Sequence, residues 1–373
     1  MGAMIENHIN FPLCGRRPRK LFTLHSAAKG RETLHSPSEA RLLMNTLWSI
    51  YEVEVPGFLG AFLESPALRR IGGVGMNCGC EYTDFPLFRR VLPYSRLDHS
   101  VGAALIAWHW TREKEQTLAA LFHDIAAPVF AHVIDFVKGD YVKQEATEAG
   151  TARRIREDPA LPRLLAEQGI PLSRVEEDRL YPLVNNETPR LCADRLEYTL
   201  GNLLHFGICT ADEIRNMYEA LTLTRAEDGA EEPAFRNRET ALRFARLALR
   251  CSRIYVSDED RYAMQRLAEL IRRAMEKGVL KEEDLWTTEE KVIRKILADG
   301  ELRAAWEAFT SLSRTERAKQ PDERPGWRRI PATKRWIDPL VEGEGRLSSL
   351  DPGFRDEAEA FVQSPLDHWV LGA

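Results

Sequence analysis

Ser95-Arg96-Leu97-Asp98-His99-Ser100-Val101-Gly102 opens on a residue type that caps helices, and the chain then runs apolar from Val101 through Trp108. That pattern reads as the start of a helix. A second helix follows, apolar at Leu118, Ala119, Leu121 and Phe122, and it ends on the adjacent pair His123-Asp124. Working outward, the same punctuation recurs. Ser36-Pro37-Ser38-Glu39 is a capping box with proline at the first helical position, and Leu42, Leu43, Leu47 and Ile50 follow at helical spacing. Similar boxes stand at Ser173/Glu176, Thr210/Glu213, Ser257/Asp260 and Thr287/Glu290, while Gly139, Gly169, Gly207, Gly278 and Gly300 close helical runs. Long helices are expected over Glu239 to Ile254 and Asp258 to Lys277. Period-two alternation is scarce, so the fold expected is all-α.

The breaks in this pattern set the expected organisation. Gly72 to Pro93 carries four glycines, at 72, 73, 75 and 79, and aromatics at 82, 85 and 88, and reads as a loop or short hairpin. Ala226 to Pro233 reads as an acidic linker between helices. Gln320 to Asp351 mixes proline and glycine with basic residues, Trp327 and Trp336, and reads as an extended tail laid over the surface. The division expected is an arm over residues 1–35, a helical core over 36–310 and a tail over 311–373 packed on that core. The arm holds Arg16, Arg17, Arg19 and Lys20, a pattern that usually belongs to a solvated or packing segment.

Composition narrows the function. With 373 residues and 44% hydrophobic content the chain can bury a large core, and disorder is disfavoured. A formal net charge of -5 argues against a nucleic-acid surface. The apolar run at Val101 is far short of the roughly 20 residues a membrane span needs. Met1 to Phe11 lacks a basic start followed by an apolar stretch, so a cytoplasmic protein is expected. The six cysteines are scattered; Cys78 and Cys80 lack the spacing and the second pair of a zinc site, and free thiols are expected.

The chemistry-bearing residues concentrate in one region. Of nine histidines, His99 and His123 fall close together beside acidic residues, and Asp194 lies downstream in Leu191-Cys192-Ala193-Asp194-Arg195-Leu196-Glu197-Tyr198. A divalent metal that hydrolyses a substrate needs imidazole and carboxylate ligands with coordination positions left open. The structural alternative is that His123 caps its helix C-terminus, where a cation is favourable. Spacing alone leaves both readings open.

The motifs taken together resemble the HD-domain phosphohydrolase superfamily, whose signature is His, then His-Asp, then a distant Asp. Within it the chain is most similar to the deoxynucleoside triphosphate triphosphohydrolase branch. Arg96-Leu97-Asp98-His99-Ser100-Val101-Gly102 resembles that branch's Arg-x-x-His-Ser-x-Gly. His123-Asp124-Ile125-Ala126-Ala127-Pro128-Val129-Phe130-Ala131-His132 resembles its His-Asp-x-Gly-His-x-Pro-Phe-x-His, and Asp194-Arg195-Leu196-Glu197-Tyr198 its Asp-Lys/Arg-x-Asp-Tyr. The resemblance spans about residues 60 to 300. It implies a helical HD domain in which His99, His123, Asp124 and Asp194 hold one divalent ion or two (Mn, Mg, Fe, Ni, Co or Zn). It also implies that Arg96 and Arg195 contact phosphate, with Tyr198 near the sugar or phosphate of a nucleotide or other phosphorylated small molecule. A planar guanidinium suits phosphate oxygens; the alternative for Arg96 is a surface pair with Asp98.

Several positions depart from the branch. Its second His and its Gly are Ala127 and Ala126, its later His-Glu motif aligns with Thr147-Glu148 or Gln144-Glu145, and an Arg-Asp pair becomes Gly201-Asn202. The ligand set is intact while the branch's acid/base histidines are missing. Glu148 and Glu145 are therefore the candidate proton donors, with His132 either beside the site or a packing residue. Three functions follow in order of preference: a metal-dependent phosphohydrolase, a nucleotide- or metal-binding sensor with little turnover, and a di-iron oxygenase that would need further histidines. The sequence leaves open whether the second-half helices pack across a homo-oligomer.

Overall fold

The computed structural model describes residues 37–138 and 150–373. Helices α1 (Pro37–Tyr51), α2 (Leu59–Leu63) and α3 (Pro66–Ile71) lead into α4 (Arg96–Thr111), α5 (Lys114–Phe122), α6 (Val133–Lys138), α7 (Thr151–Glu157) and α8 (Leu161–Glu167). Then come α9 (Ala193–His205), α10 (Ala211–Glu219), strands β1 (Leu221–Arg225) and β2 (Glu231–Phe235), α11 (Arg238–Tyr255), α12 (Asp258–Glu276), α13 (Glu289–Ala298) and α14 (Gly300–Thr310). The chain closes with β3 (Thr315–Ala318), β4 (Leu340–Val341), β5 (Gly345–Arg346), α15 (Leu347–Leu350), α16 (Pro352–Gln363) and β6 (Trp369–Gly372).

Helix α4 is the axis. Ser95 and Asp98 form the reciprocal capping box that starts it, each side chain accepting from the other's backbone N–H. Arg96 and every residue from Asp98 to Ala107 are buried, which requires partners on all sides. Helices α1, α5 and α9 supply them. The first hydrophobic cluster gathers around this group through Leu47, Phe62, Leu105, Phe122 and Leu200. A second cluster is built on α12, α13 and α14 and takes in Cys80, Phe85, Val129, Phe130 and Phe136. The ends of α5 and the turn before α6 run between the two.

Four expectations need correction. The chain is mostly helical, but six short strands form two small sheets among the described residues. The supposed acidic linker is the turn of a hairpin, with β1 antiparallel to β2 from Leu221↔Phe235 to Arg225↔Glu231, and β2 then pairs in parallel with β4. Glu232, which looked like linker charge, is fully buried because Arg190 and Arg346 clamp its carboxylate. Conversely, no hairpin forms near residues 72–93. Gly75 and Ser95 make a single bridge and Cys80–Tyr82 a 3-10 turn, since Tyr82, Phe85 and Phe88 are each drawn into the second cluster. The Ser173/Glu176 box yields only a 3-10 turn at Leu172–Arg174. The long helices of the second half form nearly as expected.

The tail contacts the site's surroundings. The Asp338 N–H donates to Pro189 O at 2.8 Å, and Glu232 accepts from the Leu191 N–H at 3.0 Å, so sheet and tail together fix the loop that delivers Asp194. The described cysteines are free thiols. No helix among the described residues is long and apolar enough to cross a membrane.

Candidate metal centre

Three elements converge on one point. His99 comes from the first turn of α4, His123 and Asp124 from the end of α5, and Asp194 from the first turn of α9. Adjacent residues on a regular helix point about 100° apart. His123 and Asp124 converge because α5 has ended: the Ile125 N–H donates to Phe122 O at 3.0 Å and the Ala127 N–H to Asp124 O at 2.9 Å, tightening the chain into successive turns. Arg70 holds those turns from behind, donating to Ile125 O at 2.7 Å and Ala127 O at 2.8 Å.

His99 Nε2 lies 3.0 Å from His123 Nε2 and 3.0 Å from Asp194 Oδ1. His123 Nε2 is 3.7 Å from both Asp194 Oδ1 and Asp124 Oδ2. The ligand atoms of His99, His123 and Asp124 all lie within 4.8 Å of one another. The protons decide what this arrangement accepts. His123 Nδ1 is 2.7 Å from Ala120 O, and a carbonyl only accepts, so Nδ1 carries the proton and Nε2 presents a lone pair. His99 Nδ1 is 2.5 Å from Glu197 Oε2, which leaves its Nε2 facing the same point. Two imidazole nitrogens and a carboxylate oxygen about 3 Å apart stay together only with a positive charge among them, a proton on His99 Nε2 or a divalent ion in its place. The set of two imidazoles and two carboxylates fits a divalent ion of the borderline or hard kind.

The electrostatics say the same. Burial disfavours the His99 imidazolium, but hydrogen bonds to Asp194 and Glu197 outweigh it and push His99 up to about 10. The site demands positive charge at that atom. Burial also works against the Asp124 and Asp194 carboxylates, yet Arg96 (for Asp124) and His99 (for Asp194) hold both below the usual carboxylate range. The imidazoles are sealed, with 2% and 8% of the side chain exposed, whereas Asp124 and Asp194 retain 16% and 21%. The open side of the cage is therefore the carboxylate side.

The remaining expected residues fall differently. Arg96 is buried and donates through Nη1 to Asp124 Oδ2 at 2.7 Å, while its Nε meets no acceptor among the described residues. It does not pair with Asp98, which is held in the helix cap. Tyr198 places its ring 6.5 Å from the His99 ring and packs edge-on against Tyr255. Arg195 turns away from the cage: Nε donates to Arg190 O at 2.7 Å, and Nη2 to the backbone and side-chain oxygens of Asn186. Glu145 and Glu148 lie outside the described residues.

Sequence reasoning left other participants unassigned. His132 Nδ1 sits 3.1 Å from Asp135 Oδ2 of a fully buried carboxylate. Burial and the charges of Arg96 and Arg335 lower the His132 pKa against the pull of Asp135. Phe130 and Ala131, just before it, both adopt left-handed backbone at φ 56 and 43, a conformation costly for these residue types and kept only where packing enforces it. Both lie in the second cluster or its margin, so packing aims the turn that carries His132. Ala126 and Ala127, at the branch's Gly and His positions, are buried and offer no ionisable group. His205 is spent elsewhere, stacked on Tyr94 and bonded to Leu92 O.

Similarity to known proteins can be set beside this geometry. No protein-family profile matches the chain. Over 329 residues it is 27% identical to the metal-dependent phosphohydrolase cns2 of Cordyceps militaris, which spans 82% of this chain and 88% of that one. An uncharacterized Bacillus subtilis protein, YdhJ, is 23% identical over 246 residues, or 65% of this chain and 72% of that one. The crystal structure of a phosphohydrolase from Bacteroides thetaiotaomicron superposes with a TM-score of 0.60 at 14% identity, covering 86% of this chain and 96% of that one. The chain shares that protein's fold.

Proposed function

We propose that the chain is a metal-dependent phosphohydrolase of the HD type, acting on a nucleotide or a related phosphate ester. The observation that carries this reading is the convergence of two imidazole Nε2 atoms 3.0 Å apart with Asp124 and Asp194 on a point that favours positive charge. The name of the Cordyceps militaris relative supports it. His99, His123, Asp124 and Asp194 would hold the ion, which supplies Lewis acidity to activate water and polarise a phosphoryl oxygen.

The chain's own groups do the rest. Arg96 anchors Asp124 through Nη1 and so sets a guanidinium charge beside the carboxylate side, where a phosphate would arrive. Tyr198 walls that approach. The branch's acid/base histidines are absent, and His132 backed by Asp135 takes the role of proton donor to the leaving oxygen. Burial and the charges of Arg96 and Arg335 lower the His132 pKa, and an anionic substrate entering beside Arg96 offsets part of that charge, so substrate binding and protonation of His132 reinforce each other. Glu145 and Glu148 remain competing donors.

The test is phosphate release from a panel of nucleoside mono-, di- and triphosphates with Mg, Mn, Co, Ni or Fe supplied. Release that disappears in Asp194→Ala and His123→Ala supports the enzyme. The second reading, a nucleotide-binding sensor, is favoured by the buried Ala126-Ala127 pair; tight nucleotide binding with no release from any substrate would establish it.

A further inference from the structure

Glu197 is completely buried on α9 beside His99, and no arginine or lysine among the described residues forms an ion pair with it. Its Oε2 lies 2.5 Å from His99 Nδ1 and accepts from the Tyr94 hydroxyl. A sealed carboxylate costs several kcal/mol unless it is well partnered, and an apolar residue would be cheaper for packing alone.

The helices make space for it. A Cβ on Gly102 would stand 2.4 Å from Glu197 Oε1, and a Cβ on Gly201 would stand 2.3 Å from the Tyr94 hydroxyl oxygen. Both glycines sit inside helices, α4 and α9, in ordinary helical backbone, where glycine is disfavoured relative to alanine. Neither is needed for a turn; both are needed for room. Tyr94 is fixed in turn by stacking on His205, with ring centroids 4.4 Å apart and planes 8° from parallel. Tyr94 and Gly102 from one segment and Glu197 and Gly201 from another, about a hundred residues on, thus agree on one arrangement whose exit is His99 Nδ1.

We propose that Glu197, held by Tyr94 in a space left by Gly102 and Gly201, is a positioning residue for the metal centre: it keeps the proton of His99 on Nδ1, aims Nε2 into the cage and makes the imidazole a stronger ligand. Carboxylates behind ligating histidines act this way, and their loss weakens metal affinity about 10–100-fold. The proposal rests on the reading that the cage holds a divalent ion.

The experiment titrates Zn2+ into the metal-stripped full chain by calorimetry and records the His99 Nδ1–H proton resonance of the Zn2+-loaded protein. Glu197→Gln keeps shape and a hydrogen-bond acceptor but removes the charge. The expected result is a Zn2+ Kd weakened about 10–100-fold in a stripped protein that still unfolds cooperatively, and a far-downfield Nδ1–H resonance that moves upfield. Tyr94→Phe should weaken binding less and shift the same resonance, which keeps the test informative if Glu197→Gln folds poorly. Variants that bind Zn2+ as the wild type does, with the resonance unmoved, overturn the proposal alone. A wild-type chain that binds no Zn2+ overturns the metal-centre reading, and the proposal with it.

Discussion

His99 Nε2 and His123 Nε2 face each other at 3.0 Å, and each imidazole has its Nδ1 proton engaged elsewhere, by Glu197 and by Ala120 O. A divalent ion that replaces the proton between them gains both imidazole lone pairs and the flanking carboxylates, and so stabilises the folded chain. Saturating Mn2+ or Co2+ should raise the melting temperature of the stripped chain; at 100 times Kd the linkage is worth about 2.7 kcal/mol. His123→Ala should abolish that rise. Differential scanning calorimetry with and without metal checks both, and an unchanged melting temperature in the wild type would count against the cage as a binding site.

Arg96 holds Asp124 through Nη1 and brings the rest of its guanidinium charge beside the carboxylate side of the cage. Lysine can supply one contact but not the fork. Arg96→Lys should therefore keep metal affinity within a few-fold while lowering kcat/KM about 10–100-fold, the loss expected for one charge-assisted hydrogen bond of about 1.5–3 kcal/mol. Steady-state kinetics beside a metal titration separates the two effects. Equal losses in both would mean that Arg96 works only by holding Asp124.

His132 should set an alkaline limit on activity. Its imidazolium is the donating form, and burial with the Arg96 and Arg335 charges lowers its pKa from 6.5, with Asp135 pulling upward and the neutral Cys78 thiol nearby. A group that must be protonated loses function as pH rises through its pKa, so kcat/KM should fall with pH from below neutrality. The fall in kcat should come at higher pH, because the bound anion offsets the two arginines. His132→Asn should flatten the limb and Asp135→Asn should move it to lower pH. A limb unchanged in His132→Asn would transfer the proton to another donor, Glu145 or Glu148 included.

What could be read from the chain follows from how local each feature is. The Ser95 cap and α4 are short-range patterns, whereas the His99, His123, Asp124 and Asp194 set spans 95 positions and is legible only through its resemblance to a family motif; the structure brings all four to one point. Glu197 stood inside a quoted motif, but its partner Tyr94 is 103 residues away in sequence, and no periodicity links them. Gly201 looked like a loss of the branch's arginine; only the Tyr94 hydroxyl beside it explains the exchange. The β1–β2 hairpin was hidden because five-residue strands flank an acidic turn, and the burial of Glu232 depends on Arg346 from the far end of the chain. The strain at Phe130 and Ala131 has no sequence signal, since neither residue type prefers left-handed backbone.

Arg195 gives the sharpest separation between adjacency and geometry. Standing next to Asp194, it invites a role on the same phosphate, but one step along α9 turns a side chain through about 100°. Its Nε and Nη2 instead bind Arg190 O and Asn186, closing the loop that sets the first turn of α9. A lysine there reaches one of these acceptors at most. Arg195→Lys should destabilise the chain by about 1–3 kcal/mol, the cost of leaving buried carbonyls unpaired. It should also loosen metal affinity through Asp194, with KM nearly unchanged once metal saturates. Urea unfolding and kinetics at saturating metal read the two effects separately. A KM raised tenfold or more with stability intact would instead place the guanidinium on the substrate.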